Sequence, residues 1–315
     1  MITEKTKVDY NPYFTLVQND ILDVLVYFTT FQHPLNIEEI QNNCVNKYST
    51  EKVQNALTKL IEKELVFEYN SYYTLSSLVS EWVINRIEKE YWANQLLNQS
   101  DFYIKIIKSM PFVRAVAISG SVSKGVAHDK GDLDYFIITE KNRLWLSRTL
   151  LILFKKLFLL NSRRYFCVNY FLDMENLQVP DKNIFTATEI AYLIPVYNKQ
   201  LIEEFQTKNN WFKAYYPDFD HPIKRKIHSS SRMLKKALEL PFYGKLGHLL
   251  DTLFMKLTIK RWDRKFADFD REKFELTMRS QKGVSKHHPR DFQNRVLDKI
   301  SEIKGNLYPG LKTKL

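Results

Sequence analysis

Two short motifs near the middle of the chain combine residue types that could bind a metal and a phosphate. Gly120-Ser121 follows the apolar run at 113–119, and after ten further residues Asp132-Leu133-Asp134 begins. Side chains alternate along a strand, so Asp132 and Asp134 are predicted to project from the same face. Two neighbouring carboxylates repel each other unless a cation lies between them, and hard divalent ions such as Mg²⁺ prefer oxygen ligands. The spacing therefore predicts a metal site.

The glycine-serine pair has the properties of a phosphate-binding turn. Because Gly120 lacks a side chain, backbone N–H groups can approach phosphate oxygens closely, and the Ser121 hydroxyl can donate to the same group. Lys124 follows three residues later and could add a positive charge, although a solvated loop lysine is an equal alternative. Two metal ions about 3.5 to 4 Å apart next to such a turn would suit an in-line displacement at phosphorus.

The order of these motifs resembles the signature of the DNA polymerase beta-like nucleotidyltransferase superfamily. That signature has a hydrophobic strand and Gly-Ser, then roughly nine to thirteen residues, then Asp-x-Asp or Asp-x-Glu on the next strand. The resemblance covers about residues 111 to 175 and is nearest to the minimal and aminoglycoside-modifying branches. It implies two Mg²⁺ ions, with Mn²⁺ as an alternative. The implied reaction moves a nucleoside monophosphate from a nucleoside triphosphate, such as ATP, to an acceptor, and pyrophosphate leaves.

The resemblance also implies a third carboxylate on a following strand. Asp173 ends the strand predicted at 165–172, and by resemblance it would bind the catalytic metal and help to deprotonate the acceptor. The alternative is that Asp173 caps the turn into 174–176, with Glu175 or Glu189 as its substitute. The implied catalytic and metal-binding set is Asp132, Asp134 and Asp173, and the implied nucleotide-binding set is Gly120, Ser121 and Lys124.

Three strands and a helix are predicted to position this site. Apolar, β-rich runs predict strands at 113–119, 133–139 and 165–172, with a helix at 143–160 between the second and the third. From residue 186 onward the pattern predicts helices to the end. The predicted fold class is α/β (α+β). It has a small mixed β-sheet nucleotidyltransferase core at 111–184 and a basic helical C-terminal domain at 185–315.

The N-terminal quarter of the chain has a different pattern, which predicts three helices and a hairpin. The helices are predicted at 19–31, 37–44 and 50–63, and the strands at 65–68 and 72–75. This order resembles a winged helix, so a winged-helix-like module is predicted at 1–78, followed by connecting helices at 79–110. The third helix is nearly neutral, which favours docking or dimerisation over DNA binding.

The positive charge is concentrated near the C-terminus. The chain carries a net charge of +11, and residues 221–315 hold 23 Lys and Arg against 10 Asp and Glu. A basic segment of this kind attracts phosphates, nucleic acid or an anionic membrane face, or it forms a solvated helical surface. His287 and His288 have no partner at metal-ligand spacing and are predicted to lie in an exposed basic loop. His128 is predicted to be a solvated loop residue.

The remaining composition indicates a cytoplasmic protein. Cys44 and Cys167 form neither a disulfide framework nor a zinc spacing, which fits a reducing compartment. The first thirteen residues contain no apolar core, so no secretory signal is expected. Charges interrupt the apolar run at 144–160, so no transmembrane segment is predicted, and a helix packed on the sheet is favoured there over a surface-lying membrane helix.

These patterns predict a metal-dependent nucleotidyltransferase with an unidentified acceptor, and a small molecule is favoured over protein or RNA. One alternative is a regulator that binds DNA through the winged-helix-like module and senses nucleotide in an inactive core. Another is a basic scaffold that docks on RNA or membrane through 221–315.

Overall fold

The fold is that of a computed structural model, which describes residues 11–162, 164–229 and 232–307, and at 232–234 the backbone alone. The segment in which no secretory signal is expected lies mainly outside the described residues, as does the end of the predicted C-terminal domain. The described ranges contain eleven α-helices, a mixed six-stranded sheet and a two-stranded sheet, which confirms the mixed α/β class. None of these helices combines the length and apolar composition needed to cross a membrane.

Three short helices and a hairpin open the fold in the predicted order. The helices are α1 (Leu16–Thr29), α2 (Ile37–Asn43) and α3 (Thr50–Glu62), and the strands are β1 (Phe67–Tyr69) and β2 (Tyr72–Thr74). Each helix begins after a residue whose side chain accepts a hydrogen bond from a first-turn N–H, namely Thr15, Asn36 and Ser49. Their assignment to a winged-helix-like module stays a prediction.

A single helix, α4 (Val79–Ser109), joins these elements to the central sheet, where the sequence predicts one or two helices. The buried Arg86 fixes α4 in place. Its guanidinium donates to the Glu39 carboxylate at 2.8 Å and to the Pro34 carbonyl. A buried charge that is paired in this way is costly to separate, so Arg86 holds α4 firmly against α2.

The central sheet carries the predicted core strands. Its strands are β3 (Val113–Ser119), β4 (Asp134–Thr139), β5 (Cys167–Asp173), β6 (Ile194–Tyr197), β7 (Ser280–Gln281) and β8 (Val284–Lys286), in the spatial order β6-β3-β4-β5-β8-β7. β4 is antiparallel to β3 and parallel to β5. Helix α5 (Leu144–Phe158) forms the crossover between the two parallel strands, so β4 and β5 begin at the same edge of the sheet.

The chain after residue 183 contributes both helices and strands. Its helices are α6 (Ile184–Ala191), α7 (Lys199–Lys208), α8 (Arg232–Glu239), α9 (Lys245–Lys265), α10 (Arg271–Thr277) and α11 (Phe292–Leu307). The prediction that this part is helical throughout is wrong, because β6, β7 and β8 belong to the central sheet. These strands are two to four residues long, too short for an alternating pattern to show. Pro195 is tolerated in β6 because β6 is an edge strand.

Both faces of the sheet are buried, and this fixes the register of the strands. Ala117 and Phe136 face a core shared with α1, α3, α6 and α7. Ile118 and Ile137 face the opposite core, which includes residues of α4, α5 and α9. A shift of one residue would turn every side chain of a strand to the wrong face. The position of Asp134 at the start of β4 is therefore set by apolar burial further along the strand.

Candidate functional site

The structure brings Asp132 and Asp134 together at the start of β4. Leu133, between them, is fully buried, so the residues on either side of it turn to the opposite face. One carboxylate oxygen of each aspartate and the Cys167 sulfur all lie within 4.8 Å of one another. A separation of this size is within reach of a shared cation.

The turn at Gly120 lies directly against these carboxylates. Ser119, the last residue of β3, pairs with Asp134, and Gly120 then adopts a φ of +70°. A Cβ atom at Gly120 would stand 2.6 Å from Oδ2 of Asp134. Both the backbone conformation and the close approach of the carboxylate require glycine at this position.

Gly120→Ala is expected to destabilise the protein by about 1 to 3 kcal/mol and to impair any function of the site, because the left-handed φ is strained and the new methyl group displaces Asp134. Urea unfolding measures the first effect. Gly244→Ala is the matched control, since Gly244 has a φ of −83° and no atom within 4 Å of the added methyl group. Equal stability of the two variants would contradict the proximity of Gly120 to Asp134.

The residues after Gly120 form a short 3-10 turn at Val122–Lys124, and the Ser121 side chain before this turn is exposed. The Lys124 ammonium donates to the Gly120 carbonyl at 3.0 Å and to the Glu189 carboxylate at 2.7 Å. Lys124 therefore already has an acidic partner at the site, which the sequence does not predict.

Asp134 lies in surroundings that disfavour its charge. Burial raises its pKa to about 7, and the negative charges of Asp132 and Glu189 act in the same direction. Its Oδ1 atom accepts a hydrogen bond from the Asn169 side chain at 2.9 Å. A cation between the carboxylates would remove this repulsion, because an opposite charge nearby favours the ionised form of an acid.

Cys167 takes part in the cluster as a neutral group. Burial and the charges of Asp134 and Asp132 raise the pKa of its thiol far above the ordinary value. Metals are bound by the thiolate rather than the thiol. The two aspartates supply hard oxygen donors, which suit Mg²⁺ or Mn²⁺, and the Cys167 sulfur is a soft donor that is neutral while no metal is bound.

The predicted role of Asp173 as third carboxylate of this site is wrong. Asp173 pairs with Thr139 at the far end of β4, five residues beyond Asp134, which is about 16 Å at roughly 3.3 Å per residue. Since β4 and β5 are parallel, the residues of β5 that lie beside Asp134 are at its start, Cys167 and Asn169, and the end of β5 lies at the opposite edge.

Asp173 instead caps the turn that follows β5, which is the alternative role considered from the sequence. Its Oδ1 atom accepts hydrogen bonds from the backbone N–H groups of Glu175 and Asn176, both at 3.0 Å, and from the Asn176 amide at 2.7 Å. Its Oδ2 atom accepts one from the Asn142 N–H at 3.4 Å. Because four donors already bind its oxygens, this buried carboxylate serves as the hydrogen-bond acceptor that stabilises the turn.

Of the two substitutes, only Glu189 lies near the candidate site. Glu175 follows the capped turn at the far edge, where it forms an exposed ion pair with Lys141 at 3.2 Å. Glu189, on α6, contacts Lys124 and is close enough to Asp134 to raise its pKa. The third acidic group at the site is therefore Glu189 of α6. This helix follows, in the sequence, the strands that the motif covers.

The sequence patterns also do not predict the position of Asn169 beside Asp134 or the burial of His288. Asn169 could have been found from the crossover, because a helix between two strands predicts parallel pairing and places the start of β5 beside Asp134. The prediction of an exposed loop at 287–288 is wrong: His288 is packed against the Tyr170 ring, and burial together with the charge of Lys286 lowers its pKa to about 4. No signal in the loop sequence indicates this burial.

Comparison with known proteins adds no relative to this description. No family model, curated protein or solved structure matches the chain. The chemistry of the site is therefore inferred from its own residues. These are two neighbouring aspartates, a glycine turn in contact with Asp134, and the Lys124–Glu189 pair next to this turn.

Proposed function

We propose that this protein is a metal-dependent nucleotidyltransferase that moves a nucleoside monophosphate from a nucleoside triphosphate to an acceptor and releases pyrophosphate. The supporting observation is the contact between the Gly120 turn and Asp134, with Asp132 beside it. A phosphate on this turn would lie next to any cation held by the two carboxylates. Such proximity is the main requirement for phosphoryl and nucleotidyl transfer, where charge neutralisation dominates the catalysis.

Asp132 and Asp134 would hold Mg²⁺ or Mn²⁺, and the Asn169 carbonyl oxygen can join them if its amide rotates away from Asp134. Bound metal would supply neutralisation of the phosphate charge and polarisation of the reacting oxygens. Backbone N–H groups at Gly120 and the exposed Ser121 hydroxyl would orient the phosphate tail. These residues lie on or directly beside β3, β4 and β5, whose packing fixes their positions.

Lys124 and Glu189 give the site a way to couple nucleotide binding to acceptor activation. The ammonium of Lys124 is shared between the Gly120 carbonyl and Glu189. A triphosphate on the turn would compete for this ammonium, since phosphate oxygens are strong acceptors for lysine. Glu189 would then be released to accept the proton of the acceptor hydroxyl.

Glu189→Gln is expected to lower the turnover number by about 10² to 10⁴, with a smaller effect on the KM for the nucleotide, because general-base assistance is lost while the phosphate contacts remain. Steady-state pyrophosphate release measures both quantities. Glu175→Gln is the matched control, since Glu175 is exposed and lies at the far edge of the sheet. A Glu189→Gln enzyme with full turnover would show that Glu189 is not the base.

The acceptor is proposed to be a small molecule. The direct test screens the four ribonucleoside triphosphates by thermal shift with and without Mg²⁺, and then searches a cell extract by mass spectrometry for products that carry a nucleotide. Stabilisation that needs both nucleotide and Mg²⁺, together with pyrophosphate release, supports the proposal. No stabilisation by any nucleotide would contradict it.

The alternative of a DNA-binding regulator gains no support from α3. The charged residues on the exposed side of this helix balance nearly to zero; they are Glu51, Lys52, Lys59, Glu62 and Lys63. DNA affinity depends chiefly on neutralisation of phosphates by basic residues. A gel shift with genomic DNA fragments at moderate salt is accordingly expected to show no complex.

A further inference from the structure

An exposed apolar stripe runs along the outer side of α9. Leu246, Leu249, Leu253 and Leu257 recur at three- and four-residue intervals, which places them on one face of the helix. Their exposed fractions range from 45% to 66%. The inner side of α9 is held by other residues: the fully buried Asp251 accepts a hydrogen bond from the Leu146 N–H at 2.9 Å. The four leucines therefore contribute little to the packing of α9.

Basic side chains accompany this stripe. Lys256 and Lys260 each follow a leucine of the stripe by three residues, and Arg264 lies one turn further along. Among the residues that the structure describes, none of these three forms an ion pair. Long basic side chains beside leucines can extend their charged ends while their methylene groups cover apolar surface. The outer side of α9 is thus both apolar and cationic.

A groove continues the stripe at the start of α9. It has a volume of about 960 Å³, and its lining includes Leu246, Leu249, Lys245, Lys141 and Glu140. Lys141 is already paired with Glu175, so the leucines beside Lys245 are the part of the groove that suits an apolar chain ending in an anionic group. The groove and the stripe together are called the α9 face below. This face presents apolar and positively charged groups along the length of the helix.

We propose that the α9 face docks onto the surface of a membrane that contains anionic lipids. A second copy of the chain is a poorer occupant, because it would place the same basic residues opposite one another. Nucleic acid would engage the lysines but leave the leucines in water. An anionic lipid surface suits both the leucines and the basic residues. The leucines enter the interface between headgroups and acyl chains. Each basic residue strengthens binding about fivefold.

Co-sedimentation of the 315-residue chain with vesicles tests this proposal. The protein is expected to pellet with mixed phosphatidylcholine and phosphatidylglycerol vesicles, to pellet much less with phosphatidylcholine alone, and to be released as salt is added, since surface charge is screened. Absence of pelleting with the anionic vesicles overturns the proposal. So does a wild-type dimer in size-exclusion chromatography that dissociates when Leu249 and Leu253 are replaced, because the face would then serve self-association.

Variants separate the two components of the α9 face. Leu249→Gln/Leu253→Gln is expected to abolish pelleting, and Lys256→Gln/Lys260→Gln to weaken it about twenty-five-fold. The matched control is Ile84→Gln/Ile87→Gln on α4, where two isoleucines are 63% and 59% exposed beside Glu88 rather than beside a basic row. Circular dichroism checks that all variants are folded. Equal pelleting of the leucine variant and the control overturns the proposal.

Discussion

Asp134→Asn is expected to lower pyrophosphate release by roughly a thousandfold or more, because each loss of about 1.4 kcal/mol of transition-state stabilisation costs a factor of ten and a metal supplies several kcal/mol. The substitution keeps the shape of the side chain and the packing of β4. It removes a carboxylate whose charge is disfavoured by burial and by Asp132. The melting temperature is therefore expected to stay the same or to rise.

The combination of lost activity and retained stability is what distinguishes a site residue from a structural one. Asp129→Asn is the matched control, since Asp129 is an exposed residue of the same loop. Its activity is expected to equal that of the wild type. Full activity in the Asp134→Asn variant would reject the proposed site. A large fall in melting temperature would instead show that the Asp134 carboxylate stabilises the fold in its charged form.

Asp173→Ala is expected to give the opposite result, with a loss of about 2 to 4 kcal/mol in the free energy of unfolding and little change in activity per folded molecule. Its carboxylate accepts hydrogen bonds from the backbone of Glu175, Asn176 and Asn142. Removal of the carboxylate takes this acceptor from all three part-buried N–H groups, of which Asn176 keeps a bond to the Asp173 carbonyl at 3.1 Å. Chemical unfolding and pyrophosphate release, measured on the same samples, give the two quantities.

A graded pair of substitutions makes this second prediction more specific. Asp173→Asn keeps one carbonyl oxygen that can accept the bonds now made to Oδ1, so it is expected to cost less stability than Asp173→Ala. If Asp173→Asn abolished transfer at unchanged stability, Asp173 would be catalytic and the structural assignment would be wrong. The Asp134 variants therefore test whether the start of the parallel strands carries the activity. The Asp173 variants test whether the other end of these strands contributes only to stability.

The strands that carry the motif could be predicted from the sequence because their apolar runs are long enough to show their type. The run at 113–119 is a strand with those bounds, and the helix predicted at 143–160 is α5. The pairing of Asp132 with Asp134 follows from the two-residue period of a strand. Their nearness to Gly120 follows from the antiparallel pairing of β3 with β4.

The rest of the site depends on contacts that sequence spacing does not encode. Glu189 reaches Lys124 across 65 positions of the chain, and only the packing of α6 beside the turn brings them together. The position of Asp173 at a strand end does not show which end of β5 lies beside Asp134; the direction of β5 decides this. β8 could not be recognised, because three residues in a basic segment show no strand pattern.

The central claim, that Asp132 and Asp134 hold a divalent cation beside a nucleotide phosphate, is tested most directly by calorimetric titration of Mn²⁺ in the presence of a non-hydrolysable nucleoside triphosphate analogue. We predict saturable binding to the wild-type protein and its loss in Asp132→Asn/Asp134→Asn, with the melting temperature of the variant preserved. Binding of Mn²⁺ with the same affinity to both proteins would contradict the claim.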